Sequence, residues 1–188
     1  MNPMPEPVMK VLSTQSLLPY AFETMFEPHP QSEMRKRSAF TLIKCLLAKK
    51  NKPEVLSAHY RELLSVLLWK ITEADGKHNT RFKSQRALRC RDKGKLRHDH
   101  VCQRSKMIAA LEKAAPRKVD KILRTAIGCT VTKKEHRRLS KFDKKYDSWK
   151  RYQKAGIKVI DTQTNKRVKL SRYRNSRKRN TTELHKPK

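Results

Sequence analysis

Three histidines and one aspartate stand where their side chains could act together. His98, Asp99 and His100 are consecutive, and His136 follows in a later segment. Along an extended strand, side chains alternate between faces, so His98 and His100 share one face and Asp99 points to the other. Imidazole accepts a proton near neutral pH, and imidazole and carboxylate groups both bind divalent metals. The pattern therefore indicates acid–base or metal chemistry.

The element that must present His136 can be predicted from its neighbours. Residues 129–131 have the composition of a brief strand. Thr132 is suited to cap a helix, and Glu135 three residues later completes a capping box. His136 then lies in the first turn, three residues before Leu139, and points towards the apolar side of the helix. A histidine in this position can reach a hairpin that packs on the helix.

Sequence patterns also predict the surrounding elements. Residues 77–104 suggest an irregular β-hairpin, with a basic stretch at 81–89, a turn at 91–95 and a strand that includes the histidines. Helices are expected between 105 and 127, with Pro116 opening the second and Gly128 ending it. Apolar residues three or four apart predict one further helix that ends at Gly156. Its stripe consists of Leu139, Phe142, Tyr146, Trp149 and Tyr152.

Two motifs in this region resemble those of an HNH nuclease of the ββα-metal class. They are DHV at 99–101 and CTVTKKEHRRL at 129–139, within a match over roughly residues 80–140. The resemblance implies that His100 is the general base that activates water, and that Asp99 and His136 are ligands of one divalent cation. His98 is a further candidate ligand. The implied reaction is hydrolysis of a phosphodiester bond with Mg²⁺, Mn²⁺ or Zn²⁺.

A different metal site remains open from the residues alone. Cys102 and Cys129 bracket the same segment as the histidines. With His136 and either His98 or His100, they could supply the four ligands of a zinc site. The alternative is that both thiols are buried in a core. No closely spaced cysteine pair supports a zinc ribbon.

The charge of the chain points to a polyanionic partner. Of 188 residues, 47 are Lys or Arg and 17 are Asp or Glu, which gives a net charge of +30. This balance excludes an acidic mimic of nucleic acid and argues against an enzyme of small metabolites. It favours a polyanionic partner, because each cation that neutralises a phosphate releases condensed counterions. The predicted nucleic-acid contacts are Arg81, Lys83, Arg86, Arg89, Lys95, Arg97, Arg137, Arg138, Arg172, Arg174, Arg177, Lys178 and Arg179.

Four segments are predicted along the chain. Residues 1–32 form a Pro-rich arm, 33–76 a helical hairpin, 77–170 an HNH-like α+β domain, and 171–188 a basic tail. Within the hairpin, helices are expected at 38–48 and 53–74, with Pro53 in the first turn of the second. Residues 157–161 and 167–170 are expected to pair as a terminal hairpin. The fold class is therefore α+β and mainly helical.

Two functions of different classes fit these features. One is a metal-dependent endonuclease, for which DNA is the expected substrate. The other is a non-enzymatic RNA- or ribosome-binding protein. The helices at 38–74 are a candidate surface for a protein partner or for self-association. Four scattered cysteines, no signal peptide and no membrane span predict a reduced, cytoplasmic setting in association with the nucleoid or a ribonucleoprotein.

Overall fold

A computed structural model describes residues 26–168 of the chain. This part is α+β and mainly helical, with a helical hairpin at its start, which confirms the predicted fold class. The α-helices are α1 (Ser32–Ala48), α2 (Ser57–Thr72), α3 (Gln85–Leu88), α4 (Arg104–Glu112), α5 (Pro116–Leu123), α6 (Lys133–Ser140) and α7 (Ser148–Lys154). The strands are β1 (Phe82–Ser84), β2 (Leu96–His100), β3 (Gly128–Thr132), β4 (Val159–Asp161) and β5 (Lys166–Arg167). Most of the predicted Pro-rich arm and all of the predicted basic tail lie outside the described residues.

The five strands form one mixed sheet in the order β2-β3-β1-β4-β5. Strand β2 pairs antiparallel with β3, whereas β1 pairs parallel with β3 and antiparallel with β4. The predicted hairpin within 77–104 is therefore wrong, because β1 and β2 are separated by β3. Locally, the Ser84 side chain accepts a hydrogen bond from the Ala87 N–H and starts helix α3, which takes the chain out of the sheet.

The terminal hairpin is present as β4 and β5, with Ile160 opposite Arg167. Asn165 turns the chain at a positive φ of 51°, a conformation that Asn tolerates better than most residues. The structure describes this hairpin as far as Val168, so the end of the predicted second strand lies outside it.

Helices α1, α2, α4 and α5 enclose the first of two cores. Buried apolar residues three or four apart supply it, among them Ile43, Leu64, Leu111 and Leu123. The helical hairpin therefore shares its core with α4 and α5. Helix α2 begins at Ser57, so Pro53 does not occupy its first turn; the Val55 N–H instead closes a turn on the Lys52 carbonyl at 3.0 Å.

The second core lies between the sheet and helices α6 and α7. It contains Val131, Leu139, Trp149 and Tyr152. The single helix predicted from Thr132 to Gly156 is wrong, because α6 ends at Ser140 and α7 begins at Ser148 with a positive φ of 53°. Because the helix is interrupted, Leu139 on α6 and Tyr152 on α7 both pack into the same core.

The predicted capping box at the start of α6 is confirmed. Thr132 accepts from the Glu135 N–H, and the Glu135 carboxylate accepts from the Thr132 N–H. The same carboxylate also accepts from the Ser84 hydroxyl at 2.6 Å. Glu135 is buried, so these bonds tie the first turn of α6 to strands β1 and β3.

The outer face of the helical hairpin exposes apolar side chains. Leu42, Leu63 and Val66 are each exposed on α1 or α2. These residues belong to the candidate partner surface at 38–74, which stays a prediction. Among residues 26–168 no helix combines the length and apolar character needed to cross a lipid bilayer.

Candidate active site

The predicted site residues meet at one cleft beside strand β2. Its volume is about 880 Å³, and its walls come from α2, β2, the start of α4, α6 and the segment leading into α7. Asp99, His100 and His136 all line it, which brings together the three residues on which the family resemblance rests. It is also lined by six cationic side chains and by the carboxylates of Asp99 and Asp143, with both of which the buried Arg151 is paired. The cations are Lys77, Arg97, Arg104, Lys106, Lys144 and Arg151.

Asp99 is held by two buried donors on helix α7. Its Oδ2 atom accepts hydrogen bonds from the Arg151 guanidinium and from the Tyr152 hydroxyl. Asp99, Arg151 and Tyr152 are all buried. Burial raises the pKa of the Asp99 carboxyl, whereas Arg151 and Tyr152 act in the opposite direction. These contacts orient one carboxylate oxygen and leave Oδ1 directed elsewhere.

Arg151 connects several parts of the site. Besides Asp99, it donates to the His100 carbonyl oxygen at 2.8 Å and to the Asp143 carboxylate at 2.6 Å. Its side chain is only 4% exposed. Sequence reasoning missed this residue, although one signal was available: Arg151 stands between two aromatic residues of a predicted core stripe, where a cation needs a buried anion.

The free oxygen of Asp99 faces His136. Asp99 Oδ1 lies 3.5 Å from His136 Nε2. Two ligand atoms that are each about 2.1 Å from one ion can lie up to about 4.2 Å apart, so this pair fits a shared divalent cation. Within residues 26–168, no group of three or more His, Cys, Asp or Glu side chains is arranged to hold a metal. A cation here would therefore take two ligands from the described protein and complete its shell with other oxygens.

His100 approaches the cleft from the opposite face of β2. Its ring packs edge-to-face against Trp69 at 6.3 Å and against His98 at 5.3 Å. Burial, reinforced by His98, Arg104 and Arg151, lowers the pKa of His100 to about 3. The imidazole is therefore neutral at pH 7. Its Nε2 atom is buried and has no hydrogen-bond partner among the described residues, so this nitrogen retains its capacity to accept a proton.

His98 has a different environment from Asp99 and His136. Its Nε2 lies 2.9 Å from the Thr72 hydroxyl and its Nδ1 lies 3.0 Å from the Lys77 carbonyl oxygen. Burial lowers the pKa of this imidazole. The alternation predicted for the strand is thus observed, since His98 shares a face with His100. His98 uses both ring nitrogens to tie β2 to the end of α2, which argues against a role as a metal ligand.

The structure does not assemble the mixed cysteine and histidine site. Cys129 is buried in the second core, and Cys102 is partly buried. Burial raises the pKa of both thiols. Among the described residues, they are not part of any cluster of three potential metal ligands. The buried-thiol alternative accounts for Cys129.

The predicted nucleic-acid contacts are spread over several surfaces. Of those within residues 26–168, Arg97 lines the cleft. Arg81 instead forms an ion pair with Asp161 across β1 and β4 at 2.6 Å, and Lys83 is half-buried, with its pKa lowered by burial. Exposed positions away from the cleft lining are Arg86, Arg89, Lys95 and Arg137, and Arg138 is partly buried. Arg172, Arg174, Arg177, Lys178 and Arg179 lie outside the described residues.

Sequence reasoning missed most of the cationic lining. Lys77 follows the end of α2, Arg104 and Lys106 begin α4, and Lys144 lies between α6 and α7. They come from three separate parts of the chain, and only the packing of these parts around β2 brings them to one cleft. No local pattern distinguishes them from the other cations of a very basic chain.

Comparison of the chain with models of known protein families, with curated proteins and with solved structures finds no match. The cleft itself is therefore the feature from which a function can be inferred. Its defining features are an oriented carboxylate beside one imidazole, a second and neutral imidazole, and a strongly cationic wall.

Proposed function

We propose that the chain binds nucleic acid in this cleft and hydrolyses a phosphodiester bond, with His100 as the general base. The observation that carries the proposal is the convergence of Asp99, His100 and His136 on one cleft that six cationic side chains also line. Phosphodiesters are anionic at every physiological pH, and a cationic cleft attracts them. Strands β2 and β3 pair antiparallel and α6 follows β3 directly, although α4 and α5 lie between the two strands in the chain.

The protein groups have separate roles in this proposal. Neutral His100 accepts a proton from water as the water oxygen attacks phosphorus. Burial is the main cause of the lowered pKa of His100, and Arg104 and Arg151 add to it; a bound phosphate would offset the contribution of these two cations. Arg151 and Tyr152 fix the Asp99 carboxylate, and Asp99 with His136 would hold the divalent cation. When bound, that cation supplies Lewis-acid stabilisation of the phosphate and the leaving oxygen.

Cleavage assays test the proposal directly. Purified protein is incubated with plasmid DNA or structured RNA, with Mg²⁺, Mn²⁺, Zn²⁺ or EDTA. We expect metal-dependent cleavage by the wild type, a loss of at least about 100-fold in His100→Ala, and unchanged binding by that variant. His59→Ala, which removes an exposed histidine on α2, is the matched control and should cut normally.

Two results would contradict the nuclease proposal. One is tight, salt-sensitive binding without cleavage under any metal. The other is cleavage that persists in His100→Ala, since another contaminating or intrinsic activity would then be responsible. If cleavage required His100 but resisted EDTA, His100 would remain the proposed general base, and the divalent cation would no longer be part of the proposal.

A non-enzymatic RNA-binding function is the second candidate. It is favoured by the ion pair between Asp99 and Arg151, which already neutralises the carboxylate that the cation would need. In that case the same cleft binds phosphates through its cationic side chains, and the histidines only stabilise the fold. Binding that His100→Ala leaves intact, together with no cleavage by the wild type, would favour this candidate.

A further inference from the structure

A partly exposed tryptophan stands in the wall of the cleft. Trp69 lies near the end of α2 and is 38% exposed. Among the exposed large apolar side chains of residues 26–168, it is the one aromatic. Ser65, one turn earlier on the same helix, lines the cleft with it. An exposed indole inside a polar, cationic cleft leaves apolar surface in water, unless a ligand covers it.

The side chains next to Trp69 would allow a nucleobase to stack on the indole close to the proposed general base, His100. The Arg104 guanidinium lies over the indole, 5.1 Å from the ring centroid. This cation–π contact holds both groups in place, and guanidinium planes also stack on nucleobases. The His100 ring is 6.3 Å from the indole centroid. A base stacked here would therefore have its sugar and phosphates close to the proposed general base.

We propose that the cleft takes an unpaired nucleotide whose base stacks on the Trp69–Arg104 pair, so that single-stranded or locally unpaired nucleic acid is preferred to continuous duplex. This inference rests on the proposed function and names its substrate class. Base faces in a duplex are covered by neighbouring base pairs, whereas every unpaired base presents a free face. The flanking phosphates would meet Lys77 and Arg97 on β2's side of the cleft, and Lys106 and Lys144 on the other.

Equilibrium binding in EDTA tests the preference without any cleavage. The probes are a fluorescein-labelled 20-nucleotide single strand of mixed sequence and the corresponding duplex, compared by fluorescence anisotropy at about 0.2 M salt to limit non-specific binding. We expect Trp69→Ala to lose about five-fold or more in affinity for the single strand, with less than a two-fold change for the duplex. Leu63→Ala, at another exposed apolar position of α2, should change neither affinity.

Tryptophan fluorescence provides a second test that does not require the alanine variant to fold. The chain has two tryptophans, and Trp149 is buried in the second core. Single-stranded DNA should quench the emission of the wild type. Trp69→Phe, which retains an aromatic ring and only the buried Trp149 as a fluorophore, should show no quenching at single-strand concentrations that saturate it by anisotropy.

Several outcomes would overturn the inference: equal losses on single strand and duplex, no loss on either, quenching that survives in Trp69→Phe, or no binding to the single strand by the wild type. Its failure is distinct from that of the nuclease proposal. A protein that stacks bases on Trp69 but never cuts would retain this inference as a property of a binding protein. A protein that cuts duplex and single strand equally would retain only the nuclease proposal.

Discussion

Arg151 determines the environment of the buried carboxylate at the centre of the cleft. Asp99 is 5% exposed, and an anion at this depth requires a charged or hydrogen-bonding partner. Arg151 supplies one and also reaches the His100 carbonyl and Asp143. Tyr152, the next residue in the chain, donates to the same oxygen of Asp99. The site and the stability of the fold are therefore coupled through one guanidinium group.

This coupling gives a prediction for Arg151→Met. The variant leaves Asp99 buried without its cation, so we expect the free energy of unfolding to fall by about 3–5 kcal/mol, as measured by urea denaturation. Arg151→Lys keeps the charge but loses the planar fork, and should be intermediate. Lys150→Met, a neighbouring exposed position, is the control. A loss in Arg151→Met no larger than in the control would show that the buried pair is not required.

At the residue scale, sequence reasoning identified the reactive groups better than the groups that orient them. Asp99, His100 and His136 are conspicuous because of residue type and spacing, and the structure brings them to one cleft. Arg151, Tyr152 and Trp69 were not assigned to the site: Tyr152 is part of the apolar stripe and is expected in a core, and neither Arg151 nor Trp69 belongs to a motif. His98 was selected by residue type, but Thr72 and Lys77 occupy both of its ring nitrogens.

At the scale of elements, the close approach of α2 to the sheet depends on Gly128. This residue begins β3, whereas α5 has already ended at Leu123, so the predicted role of Gly128 as a helix terminator is wrong. A Cβ atom at this position would lie 2.5 Å from His98 Cε1 and 2.9 Å from the Thr72 carbonyl oxygen. The absence of a side chain therefore allows His98 to fit between β3 and the end of α2.

We accordingly expect Gly128→Ala to destabilise the protein by about 1–3 kcal/mol, because the His98 ring or the end of α2 must move. Thermal or urea unfolding measures the effect. Gly94→Ala is the control, since the added Cβ there would meet only the Asp92 side chain at 3.0 Å or more, on an exposed turn. If both glycine variants were equally stable, the packing between α2 and β3 would be more tolerant than the geometry implies.

Element predictions succeeded where the signal is local. The Thr132–Glu135 capping box and the helix opened by Pro116 both appear as predicted, because each depends on residues within one turn. The hairpin predicted within 77–104 failed because strand partners are chosen by long-range packing: β2 pairs with a strand that follows two intervening helices. The break between α6 and α7 was missed because an apolar stripe continues through it.

For the whole molecule, the high positive charge raises the question of whether the cleft or the general surface captures the polyanion. The net charge of +30 ensures some affinity for any nucleic acid. Six cationic groups line one cleft, whereas others, such as Arg86 and Arg89, are exposed elsewhere. Binding in the cleft is therefore distinguished from general electrostatic attraction by removing the same number of charges from the cleft and from a distant surface.

The salt dependence of binding makes this comparison. We expect the triple variant Lys77→Ala, Arg97→Ala and Lys144→Ala to reduce the slope of log Kd against log salt for a single strand by up to about 2, since each lost phosphate contact removes about 0.7. All three side chains are exposed in the cleft wall. The measurement is anisotropy across a salt series in EDTA, and the magnitude of the change reports how many phosphates the cleft contacts.

The matched control removes the same charge at a distance from the cleft. Lys49 and Lys52 lie in the loop before α2, Lys113 follows α4, and all three are exposed. The stretch of α2 between its first turn and Trp69 is about 18 Å long, which keeps the loop away from the cleft. Lys113 lies beside this loop, since Lys50 donates to the Glu112 carbonyl oxygen at 3.0 Å. If alanine at these three positions reduced the slope as much as the cleft variant, binding would depend on net charge alone and the cleft would not be the nucleic-acid site. A larger reduction for the cleft variant would place the phosphates beside His100.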